Sequence, residues 1–167
     1  MKKLSTIRFL SIFFLTTSLF ATQYWVTVEI FTETWWPYCP DARAGVQELY
    51  NNQPYVIPLI WQGNSEYESP SYGMRANQYG VSGIPHVQFG GTLSSIGGGG
   101  NMYPTYLNRY NQLIDYNSPV AINLSTAVIG EQLVTQADME VTGNISTVSN
   151  TVLSILTRHQ DDDYFAS

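Results

Sequence analysis

The run Phe31-Thr32-Glu33-Thr34-Trp35-Trp36-Pro37-Tyr38-Cys39-Pro40 joins two kinds of local structure within ten residues. Upstream of it, Trp25–Thr32 is β-branched and aromatic, the composition of a strand. Downstream, Ala42, Val46, Leu49 and Tyr50 recur at one-face helical spacing up to about Asn51. Pro40 suits a first helical turn, where a missing amide hydrogen costs little, and Asp41 favours the positive end of the helix dipole. The aromatic turn between strand and helix thus lies at a helix amino terminus.

Outward from this junction, Tyr55–Trp61 reads as a second strand and Ser69–Tyr79 as a short helix ending in a turn at Gly80–Gly83. His86–Phe89 and Thr92–Ile96 read as a hairpin around Gly90-Gly91. Gly97–Gly100 is punctuation, with no Gly-Lys-Ser/Thr to make a phosphate cradle. Tyr103–Tyr116 is a third helix. A strand–helix–strand opening implies a right-handed crossover and two parallel strands; the hairpin adds an antiparallel edge, with helices on both faces. The expected fold class is α/β. Core positions are assigned to Trp25, Phe31, Leu49, Ile57, Leu59, Val87 and Phe89, and exposed ones to Trp36, Tyr38, Trp61, Tyr67 and Tyr72.

After a linker at 117–119 the texture changes. Val120–Leu124, Gln132–Val141 and Thr147–Leu156 are strand-like, so 120–167 is expected to form a partial β-sandwich-like segment. Residues 1–21 carry the parts of a secretory signal: Lys2, Lys3 and Arg8, then an apolar run from Phe9 to Phe20, then the small Ala21. That run is too short to span a bilayer comfortably as a helix, and no later segment is long and apolar enough to do so. The expected destination is the periplasm, the outer membrane or the exterior.

The whole chain of 167 residues has a formal net charge of −6. Beyond the signal, only Arg43, Arg75, Arg109 and Arg158 oppose thirteen acids, a balance of −9. Such a chain is repelled by phosphate backbones, and no nucleic-acid partner is expected. With one cysteine and with His86 and His159 as the only imidazoles, no metal site or cofactor is expected either. Asp161–Asp163 reads as a solvated tail rather than a calcium loop.

Two segments together resemble the thioredoxin fold: Phe31–Pro40, like the redox turn that precedes the family's first long helix, and Tyr79-Gly80-Val81-Ser82-Gly83-Ile84-Pro85-His86, like the segment bearing its cis-proline. The resemblance covers roughly 24–116. With the exported thioredoxin-like region, the glycine-rich loop, the tyrosine-rich helix and Ser118-Pro119 before strands, the pattern is most similar to the outer-membrane-protein-twenty-eight family, which joins such a domain to a β-sandwich. In this alignment Trp35 takes the family's tryptophan position and Trp36 replaces the attacking cysteine. Cys39 takes the place of the resolving one, making the redox motif degenerate. An indole cannot attack a disulfide, and a resolving thiol alone cannot close a dithiol cycle. The resemblance implies no catalytic residue, but a binding surface of Trp35, Trp36, Pro37, Tyr38, Cys39, Ile84, Pro85 and His86, facing an extended peptide or an envelope protein. Two rivals stay open. One is a monothiol thiol–disulfide oxidoreductase attacking through Cys39, and the other is aromatic-mediated binding of glycan or peptide.

Overall fold

The computed structural model describes residues 22–64, 66–145 and 155. The expected signal at 1–21, the strand at 147–156 apart from Ile155, His159 and Asp161–Asp163 lie outside the described residues.

In chain order the elements are β1 (Thr22–Gln23), β2 (Val26–Thr32), α1 (Cys39–Asn52), β3 (Val56–Gln62), α2 (Tyr72–Tyr79), β4 (His86–Phe89), β5 (Leu93–Ile96), α3 (Tyr103–Asn111), β6 (Asn117–Ser118), β7 (Val120–Ile129) and β8 (Gln132–Val141). The central sheet has the order β3-β2-β4-β5, with β3 parallel to β2 and the hairpin β4–β5 antiparallel beside it. The Ile84–Pro85 bond is cis and leads directly into β4. Asn117–Ser118, read from sequence as linker, instead pairs antiparallel with Thr22–Gln23 and ties the two ends of the domain together.

Alternation along β2 builds two cores. Val26, Val28 and Ile30 face α1 and α3, where they pack with Ala42, Val46, Leu49, Phe89, Tyr106 and Tyr110. The opposite face carries Phe31, which packs with Trp61 and with Ala76 of α2. Helix α3 ends five residues before the expected Tyr116. Its last turn tightens, as the amide hydrogens of Gln112 and Leu113 reach back three residues to Arg109 and Tyr110.

Tyr72, expected exposed, is half-buried with its ring edge-on to Phe31 at 5.8 Å, and Leu59, expected in the core, is half-buried; three further assignments are corrected. Trp25 is 54% exposed because it precedes the sheet and rests edge-on against Tyr55. Ile57 is exposed because α2, with eight residues, covers only the Phe31–Trp61 end of that face. Trp61 is buried because its indole N–H finds an acceptor in Glu29, 2.8 Å away.

Gly45 fixes how closely α1 approaches α3. A Cβ there would stand 2.8 Å from the Cβ of Met102 and 2.9 Å from Cε2 of the fully buried Tyr106. The fully buried Tyr106 ring has no open space into which to move. The overpacking cost of about 1–3 kcal/mol exceeds the ~1 kcal/mol of helix propensity that alanine adds. Gly45→Ala is therefore expected to lower the thermal midpoint, and Gly45→Val to lower it further in the same melt.

Beyond β6, β7 and β8 form one two-stranded antiparallel hairpin. Its base is fastened by the amide hydrogens of Thr142 and Gly143, both donated to the Pro119 carbonyl. Among the described residues no further strand joins it.

Candidate functional site

Three loops converge at the carboxyl end of β2. The first is the turn Glu33–Tyr38, closed by the Cys39 amide donating to the Trp36 carbonyl at 3.0 Å. Its rings pack edge to face, Trp35 on Trp36 at 5.5 Å and Trp36 on Tyr38 at 6.1 Å. Such contacts hold exposed rings in place at little entropic cost. Trp35 is 59% and Tyr38 51% exposed, Pro37 is exposed, and Trp36 is half-buried between them.

The second loop is Ile84–Pro85 and the third is the glycine run. Gly97 donates its amide hydrogen to the Pro85 carbonyl at 2.8 Å, and Gly100 donates to the Asp41 carboxylate at 2.8 Å. Gly98 sits where any Cβ would fall on the Tyr38 carbonyl oxygen and stand 3.1 Å from Cγ of Pro85. Only a residue without a side chain lets these loops meet. The glycine run is thus part of the site, as is Asp41, and neither was assigned to it from sequence. The one available signal was four consecutive glycines following a strand, and that signal does not say what they approach.

The remaining assigned residues lie beneath this surface. Cys39 opens α1 but is fully buried, and its Sγ accepts the Glu33 amide hydrogen at 3.5 Å. Pro85 is buried and Ile84 half-buried. His86 is buried on the α2 side of the sheet, with its Nε2 3.2 Å from Gln88 Oε1 and its ring edge-on to Phe31. The surface offered to solvent is therefore Trp35, Pro37 and Tyr38, flanked by Trp36 and Ile84. Cys39 and Pro85 are buried beside it, whereas His86 is turned to Phe31 and Gln88 on the α2 side of the sheet.

Carboxylates colour the neighbourhood. Burial, and then the negative charge of Glu68, push the Glu33 carboxyl above its ordinary range. Tyr72 is raised by burial first and then by Glu33, Cys39 and Glu68. Among the described residues no three His, Cys, Asp or Glu side chains converge as metal ligands.

The parallel β2–β3 pair, the antiparallel β4–β5 hairpin and the cis-proline before β4 occur together with a helix that begins at the aromatic turn. A thioredoxin of Methanocaldococcus jannaschii is 29% identical over 72 residues, which is 43% of this chain and 79% of that protein. The fold is thioredoxin-like. Among solved structures, thioredoxin O2 of Arabidopsis thaliana in its oxidised state aligns with a TM-score of 0.41 at 22% identity, over 55% of this chain and 76% of that one. HBP35 of Porphyromonas gingivalis aligns with a TM-score of 0.48 at 18% identity, over 64% of this chain and 38% of that one. No family model matches the chain.

Proposed function

We propose that the chain is an exported thioredoxin-like module of the bacterial cell envelope that binds a partner without redox turnover. Its contact surface is Trp35, Pro37 and Tyr38, with Trp36 and Ile84 at the rim. The partner is an extended peptide or an envelope protein. One observation carries the reading: the only cysteine of the chain is Cys39, and its sulfur is fully buried with an amide hydrogen already on it. A thiolate must be reachable to attack a disulfide. Export is supported by the charged, apolar and small-residue order of 1–21. Among the described residues no helix is long and apolar enough to cross a membrane.

The test is chemical. Iodoacetamide should label Cys39 in the folded chain about 100-fold more slowly than in denaturant, because exposing the sulfur requires a local opening of ~3 kcal/mol. Insulin reduction should stay at the background rate. Fast labelling of the folded chain with measurable insulin turnover would instead establish the monothiol enzyme.

The exposure of Trp35 and Tyr38 equally suits stacking on a sugar ring, which is the second reading. Quenching of tryptophan fluorescence by a soluble glycan, removed by Trp35→Ala, would select it over peptide binding.

A further inference from the structure

We infer that the β7–β8 hairpin is a self-association surface, covered by the same hairpin of a second copy of this chain.

The register places Ile122 opposite Met139, Leu124 opposite Ala137 and Val128 opposite Leu133, with Val141 at the open end of the same face. The large side chains on that face, Ile122, Leu124, Val128, Leu133, Met139 and Val141, are each 50–74% exposed. The reverse face pairs Asn123 with Asp138, Ser125 with Gln136 and Ala121 with Glu140, and turns apolar only at Val134 and Ile129 beside the turn. A period of two has sorted most of the large apolar side chains onto one side, crossed only by the Thr126–Thr135 pair, and most of the polar ones onto the other. The apolar side is left open to water. An isolated two-stranded hairpin is marginal in water and becomes stable when a third or fourth strand covers its apolar face.

Three observations favour a second copy as the cover. Ile155, the described residue beyond 145, packs against the Phe31–Trp61–Ala76 cluster on the α2 side of the central sheet and not against this hairpin's apolar cluster. The apolar face bears no charge, and Asp138 and Glu140 project from the reverse face. Two chains of net charge −6 can therefore meet here without bringing like charges together. An anionic lipid surface would instead meet an acidic protein. The area is also sufficient. Six large apolar side chains, each covering roughly 60–100 Å² when buried, bring about 1,000 Å² into a symmetric pair, the lower limit of specific interfaces. The result is an isologous contact, two hairpins stacked about 10 Å apart as a four-stranded sandwich.

Sedimentation velocity on the full chain tests this from about 1 to 100 µM, the range for an interface of this modest size. The expected result is a concentration-dependent shift to twice the 18.7 kDa of one chain. Leu124→Lys with Met139→Lys should abolish the shift, while Ser125→Lys on the reverse face should leave it intact. Hydrogen exchange on the unaltered chain gives an answer independent of the variants: β7–β8 amides should exchange more slowly at high than at low concentration. A chain that stays monomeric at 100 µM overturns the inference. So does a dimer indifferent to both lysines, exchange independent of concentration, or a monomer that binds phosphatidylcholine vesicles through this hairpin.

Discussion

Arg75→Met is expected to destabilise the chain by about 3–5 kcal/mol, the usual consequence of removing one partner of a buried ion pair. Glu29 projects from the middle of β2 and is almost completely buried. Its carboxylate receives the Arg75 Nε–H at 2.7 Å, a second Arg75 N–H at 2.5 Å, the Tyr79 hydroxyl at 2.7 Å and the Trp61 indole N–H at 2.8 Å. Arg75 and Tyr79 are four residues apart on α2, so one helix face delivers three of the four bonds. Burial alone would raise the Glu29 pKa. The hydrogen bonds from Arg75, Tyr79 and Trp61, with the charge of Arg75, outweigh burial and hold it below the ordinary carboxylate range. Methionine matches the length of arginine but supplies no donor, leaving a buried charge with two neutral partners.

The sign with pH follows from that shift. In the unaltered chain the folded pKa of Glu29 lies below its unfolded value, so the pair stabilises above the unfolded pKa. That stabilisation is lost as pH falls through the folded pKa. In Arg75→Met the largest lowering cause is gone while burial remains, so the folded pKa is expected to rise and protonation to relieve part of the defect. The stability gap between the two proteins should be widest near neutrality and narrow towards pH 4, read from urea unfolding at both values. Glu29→Leu combined with Arg75→Met should recover much of the loss, since an apolar replacement for a buried pair is often close to neutral. A constant gap at both pH values, or no recovery in the double variant, would contradict this account.

The same cluster shows what could and could not be read from the sequence. Period and turn chemistry locate strands and helices because they are local. The β2–α1 junction, the Gly90-Gly91 hairpin and the segment that carries Pro85 were legible for that reason. Glu29 is the one charge in a strand of apolar residues and threonines, which signals a buried charge without naming its partner. The partner lies 46 residues on, at Arg75. Trp61 reads as exposed from sequence because its acceptor is supplied across the sheet, and no pattern within β3 reveals that. The site divides in the same way. Its aromatic turn and proline are visible as sequence, whereas the role of Gly98 exists only where Tyr38 and Pro85 come together. The hairpin strand β7 was placed but ended five residues early, because Ser125-Thr126-Ala127 is weakly hydrophobic and is held in the ladder by β8.

Trp36→Cys should change the chemistry most. The Cys39 amide bonds to the Trp36 carbonyl at 3.0 Å, the closing bond of a four-residue turn. Such a turn holds its end Cα atoms within about 7 Å, which overlaps the roughly 4.4–6.8 Å span that a disulfide bridges. A cysteine at 36 would also stand just before the amino terminus of α1, where free amide hydrogens favour a thiolate. Cys39, buried beneath it, is suited to resolve a mixed disulfide rather than to begin one. Under air the variant is expected to form the 36–39 disulfide, read as a mass loss of two hydrogens and as loss of thiol titre in denaturant. With dithiothreitol it should reduce insulin, and the unaltered chain should not. Trp36→Ser removes the same ring without supplying sulfur and should stay inactive, which separates the gained thiol from a merely opened groove. If Trp36→Cys neither closes the bridge nor turns over insulin, position 36 is not where the attacking sulfur of a thioredoxin would stand. The silent-site reading would then lose its alignment, although the burial of Cys39 would remain.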